Sequence, residues 1–169
     1  RGKIHANELD FSGGVQVGVR YNALSVDHLE SSGEKEIEAL KGSETMPTGL
    51  PGCSFFLNLP YAPLKQMINS GLSVALATDF NPGSTPSGNM KMVLSLACIK
   101  MRLTPAQAIN AATINGAYAL GISDTHGSIT VGKRANLFIT TEIPSIAYIP
   151  YSYTEPMVDT VILNGKIYR

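Results

Sequence analysis

Leu72-Ser73-Val74-Ala75-Leu76-Ala77-Thr78-Asp79-Phe80-Asn81 decides the fold of this 169-residue chain. It runs almost continuously apolar and then turns abruptly polar. A strand covered on both faces has that composition, and such strands belong to parallel sheets. Working outward, the same alternation of strand-like and helix-like runs fills the first two-thirds of the chain. Lys3–Ala6 reads as a strand end, Gly13 to Tyr21 as a short helix, Ala23–His28 as a second strand and Gly33 to Leu40 as a charged helix. The segment from Thr45 to Gly52 is Pro- and Gly-rich at its end and leads to an apolar loop around Phe55 and Phe56. In Pro63 to Ser70, Leu64, Met67 and Ile68 fall on one helical face. Alternation of this kind predicts βα units around a parallel sheet.

The clearest helix opens at Thr104-Pro105-Ala106-Gln107, with an N-cap, a first-turn proline and the glutamine of a capping box. Ile109, Ala112, Gly116 and Leu120 follow at helical spacing, and Gly121 supplies the stop. Beyond it come short β runs, Ala135–Ile139 and Thr160–Leu163, then Asn164-Gly165 as a hairpin turn before Lys166–Tyr168. The predicted organisation is therefore a βα body over 1–127 and a small β unit over 128–169.

Composition narrows the function classes. At 44% hydrophobic and 15% charged residues, the chain is neither a disordered segment nor a charged coiled coil. Thirteen Lys and Arg balance thirteen Asp and Glu, so no basic field draws nucleic acid or acidic lipid. No stretch reaches the roughly 20 apolar residues of a membrane span. Two cysteines, Cys53 and Cys98, build neither a disulfide scaffold nor a zinc finger and fit a reducing cytoplasm. Arg1–Ile4 has a basic patch but no apolar signal region, so it does not read as a secretory leader.

Chemistry in parallel α/β proteins gathers at the C-terminal strand ends. Strand one ends at His5, with Glu8 just beyond. Strand two ends at Asp27-His28, followed by Glu30, and the apolar strand ends at Asp79-Phe80-Asn81. Each has an ordinary reading: a structural histidine, a solvated carboxylate, or an Asx-Pro-Gly turn. Together, His, His and Asp at three strand ends suit a divalent metal or a general acid–base pair. Elsewhere, His126 reads as an exposed loop residue, and Met90, Met92 and Met101 as core filling. Tyr148, Tyr151 and Tyr153 are expected to cover an edge of the β unit. Glu34-Lys35-Glu36 reads as a solvated helix face, and both cysteines as buried thiols.

His5-Ala6-Asn7-Glu8, Val26-Asp27-His28-Leu29-Glu30 and Ala77-Thr78-Asp79-Phe80-Asn81-Pro82-Gly83-Ser84 resemble the later motifs of the amidohydrolase superfamily, and within it of the imidazolonepropionase family. Leu103-Thr104-Pro105 with Ala111–Ala117 is similar to the superfamily's helix after the last barrel strand. Gly127–Leu137 resembles the return of the chain into its β-sandwich. The resemblance covers essentially the whole chain. It implies the C-terminal half of a metal-dependent (β/α)8 barrel with part of a small β-sandwich. The implied reaction is hydrolysis of 4-imidazolone-5-propanoate to N-formimidoyl-L-glutamate in histidine degradation, with one zinc or iron ion. By the same resemblance His5 and Asp79 are metal ligands, and Asp79, His28 and Glu8 are catalytic. Glu8 also contacts the imidazolone ring, and Asn81, Gly83 and Ser84 hold substrate or product.

The superfamily's His-x-His pair is absent, and about four βα units fall short of the eight in a barrel. The expectation is therefore a C-terminal portion of a longer enzyme, with an incomplete metal site and little activity alone. Such a half-barrel would associate with its own copies or with a companion N-terminal fragment. Two other readings stand beside this one: another amidohydrolase, such as a deaminase or dihydroorotase-like enzyme, or a non-enzymatic half-barrel used in assembly.

Overall fold

The computed structural model describes residues 1–168. Strand β1 (Lys3–Ala6), helix α1 (Gly14–Arg20), strand β2 (Ser25–His28), helix α2 (Glu34–Leu40) and strand β3 (Met46–Gly49) follow in order. Next come α3 (Pro51–Phe56), α4 (Leu64–Asn69) and β4 (Ala75–Leu76). The four strands form one parallel sheet in the order β1-β2-β3-β4. His5 pairs with Asp27, Asp27 with Thr48 and Thr48 with Ala75, so one row of residues crosses the whole sheet.

The pleat sorts these strands into two faces. Ala6, Val26 and Leu76 turn toward the helices, where they meet Val15, Ile37, Leu64 and Met67 in the main core. Lys3, His5, Asp27, Thr48 and Ala75 instead line a cavity of about 890 Å³ on the opposite face. Helix α1 can lie close on β2 because Gly18 has no side chain. A Cβ there would sit 2.3 Å from Val26 Cγ1.

Several elements differ from the sequence reading. The apolar run 72–78 pairs as a strand only over Ala75–Leu76, and Asp79 just beyond it has a left-handed backbone (φ 55°). The Pro- and Gly-containing segment Met46–Gly49, given no element by the sequence pattern, is strand β3. Met46 N–H donates to Leu24 O, so the donor that Pro47 lacks falls on the side of β4, whose pairing starts only at Thr48. The expected loop around Phe55 and Phe56 is helix α3, with Pro51 in its first turn.

Helix α5 (Met90–Ile99) carries the methionine-rich stretch, capped by Asn89 Oδ1 on the amides of Lys91 and Met92. The helix expected to run unbroken to Leu120 divides at Thr113 (φ −113°, ψ −90°) into α6 (Pro105–Ala112) and α7 (Ile114–Ala119). Thr113 Oγ1 bonds back to Ile109 O at 2.7 Å, a local bond that competes with the ladder. The capping box of α6 is present in both halves, Gln107 N–H to Thr104 Oγ1 and Thr104 N–H to Gln107 Oε1.

The tail forms a separate antiparallel sheet of β5 (Leu137–Thr140), β6 (Val158–Leu163) and β7 (Lys166–Tyr168). Tyr148 and Tyr151, expected at its edge, belong to a short helix. They lie in α8 (Tyr148–Tyr151), which packs on α5, with Ser95 Oγ donating to Pro150 O and Lys91 Nζ to Ser152 O. Glu36, read as part of a solvated face, is only 5% exposed. It accepts from Gly33 N–H (2.9 Å) and Gln16 Nε2 (3.2 Å), closing the start of α2.

Burial of Glu36 opposes its ionisation, but these donors outweigh it and hold the carboxyl below its ordinary value. A depressed folded-state pKa contributes stability above the unfolded value that is lost as pH falls through the folded one. Glu36→Gln is therefore expected to cost about 1 kcal/mol at pH 7 by chemical denaturation. The gap from the parent chain should close as the acid range is entered.

Candidate active site

At the C-terminal ends of β1 and β2 the backbone itself aims the side chains. Asn7, His28 and Leu29 all have positive φ (55°, 85° and 74°), which non-glycine residues adopt at an energetic cost. Two bonds lock the turn: Leu29 N–H to Ala6 O (3.1 Å) and Ser31 N–H to Asn7 O (2.7 Å). Asn7 Nδ2 adds a third to Ser31 O at 2.9 Å. The double left-handed step folds the chain back so that Glu30 comes beside His28.

The two histidines meet directly, His28 Nε2 lying 3.1 Å from His5 Nδ1. Glu8 Oε2 lies 3.6 Å from the same His28 nitrogen. One donor atom from each of His5, Glu8 and His28 falls within 4.8 Å of the others. Two imidazoles and a carboxylate converging in this way are a donor set that suits zinc or iron.

Behind His28, Nδ1 faces Glu30 Oε2 at 3.6 Å, just beyond hydrogen-bond distance, and both buried atoms lack a hydrogen-bond partner. Glu30's second oxygen accepts from Ser54 Oγ at 2.9 Å. Burial alone would lower the pKa of His28. The close approach and charge of Glu30, with the charges of Glu8 and Asp79, reverse that and raise it above the ordinary value.

Asp79 and His5 line the same cavity. Asp79 Oδ2 accepts from Ser84 Oγ at 3.0 Å. The loop that follows is built around Asn81. Its Oδ1 takes the amides of Gly83 (2.9 Å) and Ser84 (2.8 Å), and its Nδ2 donates to Asp79 O and Ser84 Oγ (both 2.7 Å). A backbone bridge between Asn81 and Thr85 closes the loop. The structure thus brings His5, Glu8 and His28 together and holds Asn81, Gly83 and Ser84 as one turn on Asp79. Asn81's amide is occupied within that turn.

Two residues near the site had no sequence signal, since both sit in the stretch read as an apolar loop. One is Ser54. The other is Cys53, fully buried, with Sγ 3.8 Å from Glu8 Oε1. Burial, reinforced by Glu8, Asp79 and Glu30 and opposed by Ser84, pushes the Cys53 thiol up to about 11. Because the thiolate is the nucleophile, Cys53 should resist iodoacetamide at pH 8 in the folded chain and react on denaturation, read by mass spectrometry. Cys98 is only half-buried. His126 is half-buried rather than exposed, and it borders the cavity. Among the described residues, no helix is long and apolar enough to cross a membrane.

A sheet of parallel strands with the reactive groups at their C-terminal ends is shared with a large group of hydrolases, and the sequence profile of the amidohydrolase family matches residues 19–168. The chain belongs to the amidohydrolase family. Among curated relatives, the imidazolonepropionase of Flavobacterium johnsoniae is 61% identical over 98% of this chain and 40% of that protein. The imidazolonepropionase of Christiangramia forsetii is 59% identical over the same shares, and that of Bacillus cytotoxicus 44% identical over 98% and 39%. The chain thus spans about 40% of the length of the curated relatives it matches. An adenosine deaminase from Xanthomonas campestris, solved with bound zinc, superposes with a TM-score of 0.81 at 21% identity over 98% of this chain and 44% of that one. A 5-methylcytosine deaminase from Klebsiella pneumoniae gives 0.76 at 19% over 99% and 47%. At these identities the structural likeness establishes the fold.

Proposed function

We propose that this chain carries part of the active site of an enzyme that hydrolyses 4-imidazolone-5-propanoate to N-formimidoyl-L-glutamate. The observation that carries the reading is the convergence of His5, Glu8 and His28, within a chain 61% identical to an imidazolonepropionase. Residues 1–127 serve as barrel units, and Leu137–Thr140, Val158–Leu163 and Lys166–Tyr168 as strands of the appended sheet. β1 and β4 are the outer strands of the parallel sheet among the described residues. A companion segment or a second copy supplies further strands along those edges.

His5 and Asp79, which line one cavity, would hold a zinc or iron ion. When bound, the ion lowers the pKa of a water toward roughly 7 and so supplies the nucleophile. Asp79 accepts the proton of the attacking water and passes it to the departing ring nitrogen. His28, its pKa raised, donates from Nε2 to the oxygen on which charge develops. Glu8 accepts a ring N–H and fixes the ring's orientation. The Asn81–Ser84 turn holds substrate or product, with Gly83 allowing close approach.

The test is loss of imidazolone absorbance in the presence of zinc or iron, using this chain mixed with the segment that completes the relatives' length. Ring opening by the mixture supports the proposal. Deamination of an aminated ring without imidazolone consumption would replace it with the deaminase reading.

A further inference from the structure

Glu30 is nearly sealed from solvent, its side chain 1% exposed, and among the described residues no Lys or Arg pairs with it. Such a carboxylate is costly unless it is hydrogen-bonded. Oε1 accepts from Ser54 Oγ at 2.9 Å, while Oε2 has no hydrogen-bond partner and lies 3.6 Å from His28 Nδ1, which is buried and unpartnered as well. The His28 ring is itself buried (2%) and has two polar edges. Only the Nε2 edge faces His5 and Glu8. A hydrogen bond that claims one ring nitrogen decides which way the other points. The strained turn through His28 and Leu29 has the effect of placing Glu30 at that first nitrogen.

We infer that Glu30, anchored by Ser54, is a positioning residue that takes the Nδ1–H of His28 and so fixes the ring with Nε2 toward His5 and Glu8. The inference rests on the proposed role of His28 for its catalytic consequence, while the ring geometry stands apart from that role. Glu30 touches neither substrate nor metal and acts through His28 alone.

The chain has three histidines, so each imidazole in a chain labelled with ¹⁵N-histidine is assigned by single substitution. In the parent chain, His28 Nδ1 should read as a protonated, slowly exchanging donor. Glu30→Leu should abolish that signal and shift both ring nitrogens, while His126 stays put. Glu30→Gln keeps the volume and one acceptor, so its Nδ1–H signal should persist but move upfield as the bond to a neutral carbonyl weakens. Ser54→Ala should move it in the same direction. In the ring-opening assay Glu30→Leu should lower kcat by about 10–100-fold with KM little changed, and Glu30→Gln should recover most of the loss.

Unshifted His28 resonances in Glu30→Gln and Ser54→Ala would overturn the inference even if the leucine variant fails to fold. So would a kcat loss in Glu30→Leu that Glu30→Gln does not recover. The resonances respond without turnover. Shifted signals in a protein that opens no imidazolone ring would leave this inference standing and remove the functional proposal.

Discussion

Asp79→Asn is expected to lower kcat for ring opening by about 10²–10⁴-fold, the usual contribution of a positioned acid–base group. The fold should be untouched, for reasons visible around the residue. Asp79 sits at φ 55°, a conformation asparagine tolerates as well as aspartate does. Its contact is with Ser84 Oγ, and the amide oxygen of asparagine accepts that bond equally. What asparagine cannot do is take a proton from water. Turnover and thermal melting measured on the same preparation separate the two effects. An unchanged kcat would make Asp79 merely a turn residue, and a large drop in melting temperature would point to a structural role instead.

The largest expected loss of stability follows from Gly18→Val. A Cβ at position 18 meets Val26 Cγ1 at 2.3 Å, and Val26 is completely buried in the middle of β2. Two effects oppose each other. Replacing glycine inside a helix gains up to about 1 kcal/mol of backbone entropy. Overpacking a closed core costs typically about 1–3 kcal/mol, and more when the neighbour cannot move. Here the clash wins, because Val26 is pinned between α1 and the strands on either side. The net loss should be about 2 kcal/mol or more, a sizeable part of the 5–15 kcal/mol that holds a domain together. Denaturant unfolding measures it, and a midpoint equal to that of the parent chain would mean that α1 has room to lift off the sheet. Since Val26 lies two residues before His28, a variant that does fold should also show altered His28 resonances.

Much of the body was legible because its strands are apolar and its helices capped. Thr104, Pro105 and Gln107 mark α6 by chemistry that acts locally, and the Asn164-Gly165 turn marks the last hairpin likewise. β3 was not legible. Met46-Pro47-Thr48-Gly49 looks like a turn, and only the neighbours on either side make a strand of it. Glu36 looked solvated because nothing in a Glu-Lys-Glu run shows that Gln16, from another helix, will meet it.

The candidate site divides in the same way. His5, Glu8, His28 and Asp79 stand at strand ends, and a sequence pattern can reveal that. Ser54 comes to Glu30 through a helix whose existence depends on tertiary packing. The meeting of Glu30 with His28 depends on two consecutive left-handed residues, which no propensity predicts.

The Asn81–Ser84 turn satisfies its own polar groups through a single amide and a short backbone bridge, leaning on the rest of the molecule only at its two ends. The ends of β1 and β2, by contrast, are fastened to each other through Leu29 and Ser31. A lineage exploring new substrates can therefore swap the first like a cartridge, while any change to the second must drag both strands with it.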